Sequence, residues 1–80
     1  MLRPTAKEVT VMDDYKLLIK FDNGEVKQFD ATGLLTKKPF FPLNNKTVFN
    51  TVRPNGITIE WIGDIDLCPD DLYYGSTTID

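Results

Sequence analysis

Histidine is absent from the 80-residue sequence. That removes the commonest general base, so a conventional nucleophile–base pair has no obvious second member. Cysteine occurs once, as Cys68, which excludes an internal disulfide framework and with it the usual staple of small secreted domains. No apolar run approaches the ~20 residues that a membrane helix needs. The opening stretch MLRPTAKEVTVMDDYK lacks the apolar core of a signal peptide. The expectation is a cytoplasmic protein without a membrane segment. Basic residues are missing from positions 60–80, where six acids give −6; positions 1–59 hold all nine Lys and Arg with six acids, giving +3. The bases are spread along the chain, with Lys37-Lys38 the only adjacent pair. Broad binding to nucleic acid is disfavoured, because phosphate contacts need clustered Lys and Arg.

What is present suits one small globular domain, residues 1–80. Hydrophobic residues make up 41% of the chain, too many for a disordered tail. A chain this short buries only ~60–65% of the surface it exposes when unfolded, so the core is modest.

The apolar pattern predicts mostly strands. Val9 and Val11 alternate with polar neighbours over residues 7–12, and Asp13-Asp14 reads as a tight turn. Over residues 15–22, Tyr15, Leu17, Ile19 and Phe21 share one face, while Leu18 breaks the alternation. Asn23-Gly24 is the strongest local signal, since type I′ turns need positive φ at both central residues. Residues 25–30 return. Two registers compete, and a one-residue slip exchanges the faces. A two-residue loop pairs Phe21 with Val26 and Leu18 with Phe29; a three-residue loop with a Gly24 bulge pairs Leu17 with Phe29. The first is the expected register, and it places a Leu18–Phe29 patch on the second face.

Asp30 is positioned to cap a short turn through Ala31–Leu35. Two prolines make residues 36–42 a loop. Asn44 or Asn45 reads as the N-cap of a short helix, with Val48, Phe49 and Val52 on its apolar face; capping by Asn44 sets Leu43 and Val48 at the staple positions. Residues 57–62 form a strand with Ile57, Ile59 and Trp61 on one face. Ile65 and Leu67 suggest a brief further strand. Pro69 suits a first helical position, Asp70 and Asp71 suit the first turn, and Gly75 reads as a stop. The last five residues read as frayed. The fold class is α+β: a small, mostly antiparallel sheet, with a three-stranded N-terminal meander plus one or two later strands, and two short helices.

The segments YKLLIKFDNGEVKQFDATGLL, PFFPLNNKTVFNTVRPNG and ITIEWIGDIDLCPDDLY resemble a family of small bacterial domains, domain-of-unknown-function family 2442. The last segment is the most specific, through Trp61, Asp66, Leu67, Pro69, Asp70, Leu72 and Tyr73. Ile62-Gly63-Asp64 departs from the Pro-Asn-Gly that family members commonly carry there. The resemblance covers nearly the whole chain and implies the same α+β fold. It implies no activity. Family members are often encoded beside another small family, in an arrangement like a toxin–antitoxin pair. Some carry a DNA-binding helix-turn-helix after this domain; these 80 residues hold no such pattern.

Candidate sites have structural alternatives. Cys68 lies near Asp70 and Asp71, whose charges oppose a thiolate, so a packed, inert thiol is expected. Asp64, Asp66, Asp70 and Asp71 invite a cation, but the EF-hand spacing is absent and Asp70 and Asp71 already have a role at a helix start, so no metal or cofactor is expected. Trp61 and Tyr73 read as core; Tyr74, which cannot share the direction of Tyr73, reads as exposed. Phe40-Phe41, between two prolines and beside Lys37-Lys38, is either a cap on the sheet or a contact patch. The expected partner-binding set is Phe40, Phe41, Leu18, Phe29 and Tyr74.

Three functions follow in order. The first is a non-catalytic protein-interaction module, the antitoxin-like or regulatory partner of a neighbouring small protein, with the product of an adjacent gene as its partner and homo-oligomerisation open. The second is a nucleic-acid-binding regulator. The third is a carboxylate- or metal-dependent enzyme.

Overall fold

The structure is a computed structural model and describes residues 3–79. Its chain enters along β1 (Ala6–Met12), which is antiparallel to β2 (Lys16–Phe21), which is antiparallel to β3 (Val26–Asp30). In the second pairing Leu17 faces Phe29 and Lys20 faces Val26. This overturns the expected two-residue loop. The Gly24 amide donates to the Phe21 carbonyl at 3.0 Å, and the Phe21 amide to the Glu25 carbonyl at 2.8 Å. Asp22, Asn23 and Gly24 are the loop. Gly24 alone of the three is left-handed, with φ 91°. Asn23 uses its side chain instead, accepting the Glu25 amide at 3.0 Å.

The reason lies in the area buried. In this register Phe29 is 7% exposed beside Leu17, while Val26 takes the half-buried outer face. The slip would expose a phenylalanine to bury a valine. The Leu18–Phe29 patch therefore does not form: Leu18 stands half-buried on the opposite face, between Thr10 and Gln28. The same register draws Lys27, opposite Ile19, onto the core face. Its ammonium lies 3.8 Å from the centre of the Tyr73 ring and donates to the Tyr73 carbonyl at 3.3 Å. The stem packs while the charge keeps partners.

The first turn is longer than Asp13-Asp14, because Tyr15 belongs to it. Asp14 (φ 60°) and Tyr15 (φ 59°) are both left-handed. A tyrosine there costs on the order of 1–2 kcal/mol of local energy. It is held from three sides. Its hydroxyl donates to the Asn44 carbonyl at 2.7 Å, its carbonyl accepts the Ala31 amide at 2.9 Å, and its ring meets Phe49 edge-on at 4.9 Å.

Asp30 caps as expected, accepting the Thr32 amide at 3.0 Å above a 3-10 turn at Ala31–Leu34. The stretch expected to be a loop is a second 3-10 segment, Lys38–Asn44. Pro39 sits in its first turn, where a missing amide costs nothing. Asn45, not Asn44, caps α1 (Lys46–Phe49), accepting the Thr47 amide at 2.9 Å. The Leu43–Val48 staple positions therefore do not apply, and Val52 lies beyond this one-turn helix. A two-residue strand that sequence reading missed, β4 (Arg53–Pro54), pairs with β5 (Ile59–Trp61), which pairs with the expected short strand β6 (Ile65–Asp66). Ile57 is not on the strand face. Asn55 accepts the Ile57 and Thr58 amides at 3.0 and 2.8 Å, and this turn leaves Ile57 58% exposed.

The last helix, α2 (Pro69–Gly75), starts at its proline as expected. The tail is not frayed through residue 79: β7 (Thr77–Thr78) pairs with β3, and the Ile79 amide donates to the Val26 carbonyl at 3.0 Å. The expectation for Asp80 falls outside the described residues. The strand order is β1-β2-β3-β7, with β4-β5-β6 as a second small sheet, so the fold is α+β. An otherwise open β3 edge gains backbone partners from the tail.

One buried cluster joins the elements, including Leu17, Ile19, Phe21, Phe29, Phe49, Ile59, Trp61 and Leu72. The Trp61 indole N–H donates to the Phe49 carbonyl at 3.0 Å, and its ring stacks on Phe49 at 6.2 Å. Phe29→Ala should destabilise the fold by about 3–4 kcal/mol, because it empties a packed site. Leu18→Ser should cost less than about 1 kcal/mol. Urea unfolding of the two variants checks the register: comparable losses would contradict it.

Candidate functional site

Helix α2 serves two surfaces at once. Leu72 is fully buried, and Tyr73 packs its ring edge-on against Phe21 at 5.1 Å. The Tyr73 hydroxyl donates to Glu25 on the hairpin. Gly75 does not act as the left-handed stop that its position suggests; Ser76 follows as the C-cap in extended conformation. A Cβ at Gly75 would lie 3.4 Å from the Phe29 ring, about van der Waals contact, so the end of α2 borders β3 at Phe29.

Across from α2, Lys37 and the 3-10 segment Lys38–Asn44 form a second wall. Between the walls runs an open groove of about 770 Å³. Phe29, Leu34 and Leu67 line it from the core side, and Pro39 and Phe40 from the 3-10 wall. Tyr74, Cys68, Asp70 and Asp71 line it from the α2 side. Tyr74 is 71% exposed and meets Tyr73 edge-on at 5.1 Å. The groove thus joins an apolar lining to charges of opposite sign on its two walls.

Of the partner-binding set, Phe29, Phe40 and Tyr74 come together here. Phe29 does so as a core residue showing one edge, not as part of the expected second-face patch. Phe41 is 49% exposed but does not line the groove, and Leu18 lies across the sheet. Leu34 and Leu67 were missed. Each lies in a short segment far from the other in the chain, and only the chain path shows that they share a wall. The family-motif residues Trp61, Leu72 and Tyr73 are structural; Pro69 starts α2, and Asp66 stands opposite Glu60 in the small sheet.

Cys68 is exposed, which corrects the packed-thiol expectation. Leu67 takes the core position, and the extended backbone before Pro69 turns the next side chain outward. The four acids do not converge on one point. Asp64 occupies a left-handed turn position, and Asp70 holds Arg3 at 3.0 Å. Among the described residues no three Asp, Glu or Cys side chains gather where an ion would sit.

Electrostatics mark the hairpin side of α2. The Tyr73 hydroxyl, helped by the Asn23 amide, holds the Glu25 carboxyl below its ordinary value of 4.5. The same bond pushes the Tyr73 phenol above its ordinary value of 10.0. Glu60 is likewise held low, by Arg53 and then Asn55.

A family model described as a protein of unknown function (DUF2442) matches residues 6–78. The chain belongs to that family. No curated protein and no solved structure matches it.

Two measurements check this arrangement. A carboxylate with a depressed folded-state pKa stabilises the fold above the unfolded value and loses that contribution as pH falls through the folded one. A raised phenol loses its contribution as pH rises above 10.0. Melting temperature should therefore decline below pH 4.5 more steeply in the wild type than in Glu25→Gln, and this contrast should shrink in a Tyr73→Phe background, where the largest cause of the lowered Glu25 pKa is gone. Separately, Cys68 should react with a maleimide reagent in the native protein at a rate near that of the unfolded chain; strong protection would contradict its exposure.

Proposed function

We propose that this member of the DUF2442 family is a non-catalytic protein-interaction module whose contact surface is the groove between α2 and the 3-10 segment. The observation that carries the reading is the position of Tyr74: a large ring, 71% exposed, on α2 at the edge of a groove with an apolar floor. Tyrosine supplies contact area with few rotatable bonds and is enriched among residues that dominate binding energy. The lack of histidine supports a role without covalent chemistry.

The finer reading is an antitoxin-like or regulatory partner of a small protein encoded beside it in a bacterial cytoplasm. The gene pairing implied by the family resemblance supports this. No described helix is long and apolar enough to cross a membrane.

Co-expression with the adjacent gene product, followed by affinity capture, tests the proposal. The wild type should retain that product. Tyr74→Ser should weaken retention about tenfold while keeping a cooperative melt, since the ring is mostly solvent-facing. Failure of the wild type to retain the product, or full retention by Tyr74→Ser, would overturn the groove reading.

A further inference from the structure

The two walls of the groove differ in sign. On α2, Asp70 and Asp71 precede Tyr74 by four and three residues, so both carboxylates stand on the helix face of the ring. Asp70 is engaged by Arg3. Asp71 has no ion pair among the described residues. The facing wall carries Lys37 beside Pro39 and Phe40.

An aromatic ring one helical turn from a free carboxylate is the arrangement that an arginine exploits best. Its guanidinium is planar and weakly hydrated, so it lies flat on a ring while its edge donates to a carboxylate; a lysine ammonium does only one of these well. Lys37 repels a cation from the opposite wall, which fixes the orientation of the ligand. The apolar space between the walls is then left for a neutral side chain.

We infer that the groove takes an apolar, arginine-bearing segment of another protein. The guanidinium lies over Tyr74 and pairs with Asp71, and a neighbouring large apolar side chain packs against Phe40 and Phe29. The inference rests on reading the groove as the contact surface, and it adds the chemistry of the occupant. A nucleic-acid strand fits poorly, since its phosphates would meet the acidic wall.

The test uses the full chain, labelled for amide NMR, and three probes: acetyl-Leu-Arg-Trp-Leu-amide and its counterparts with lysine or glutamine for arginine. The arginine peptide should shift amide signals in residues 37–40 and 67–75 and slow alkylation of Cys68. Glutamine for arginine should weaken binding about fivefold, with lysine between the two. Asp71→Asn, an exposed change, should weaken the arginine peptide about threefold and leave the glutamine peptide unaffected. Equal affinity of the arginine and glutamine peptides within the groove would overturn the arginine inference and leave the groove reading standing. Shifts confined to other surfaces, or none at millimolar peptide, would also overturn the inference. Capture of the adjacent gene product then decides separately whether the groove reading falls with it.

Discussion

The pairing of Leu17 with Phe29 is the contact on which the rest of the structure depends. It sets which side chains of β3 face inward, and a shift of one residue would reverse all of them. With Phe29 inside, Lys27 is inside too, and its ammonium needs a ring and a carbonyl. Tyr73 supplies both. With Phe29 inside, the end of α2 at Gly75 borders its ring. The tail then emerges beside β3 and closes that edge as β7. Hairpin, last helix and last strand are linked by one choice of register.

The placement of α2 explains why core and candidate site share a helix. Consecutive residues on a helix point about 100° apart, so Tyr73 and Tyr74 cannot serve the same surface. Tyr73 is anchored by Phe21, Glu25 and Lys27. Tyr74 is left outside as a consequence. Its backbone position is set by the packed neighbours before it in the helix, Leu72 and Tyr73, while the ring keeps one edge-on contact, with Tyr73. The acidic start of the same helix brings Asp70 and Asp71 to the same face.

Tyr15 shows a parallel division in the other half. A left-handed tyrosine is locally unfavourable, yet its ring and hydroxyl fasten the β1–β2 turn to Phe49 and to the carbonyl of Asn44. Local propensity loses there to packing across the core. No windowed reading of Asp13-Asp14 anticipates this, because Phe49 and Asn44 are about thirty residues away in the chain.

Sequence alone determined what depends on near neighbours. The strands of the meander, the Asp30 cap, the start of α2 at Pro69, the α+β class and the exposed ring of Tyr74 were all legible. Each follows from alternation, a single turn residue or helical geometry within a few positions. Tertiary structure decided the hairpin register, the pairing of the tail, the outward Cys68 and the grouping of Phe29, Phe40 and Tyr74. Asn23-Gly24 permits more than one loop length, so its turn chemistry could not choose between faces. The choice came from burying Phe29 against residues distant in the chain. The groove is lined by Phe29 together with residues of α2 and of the 3-10 segment, and no local pattern encodes how those distant segments come together.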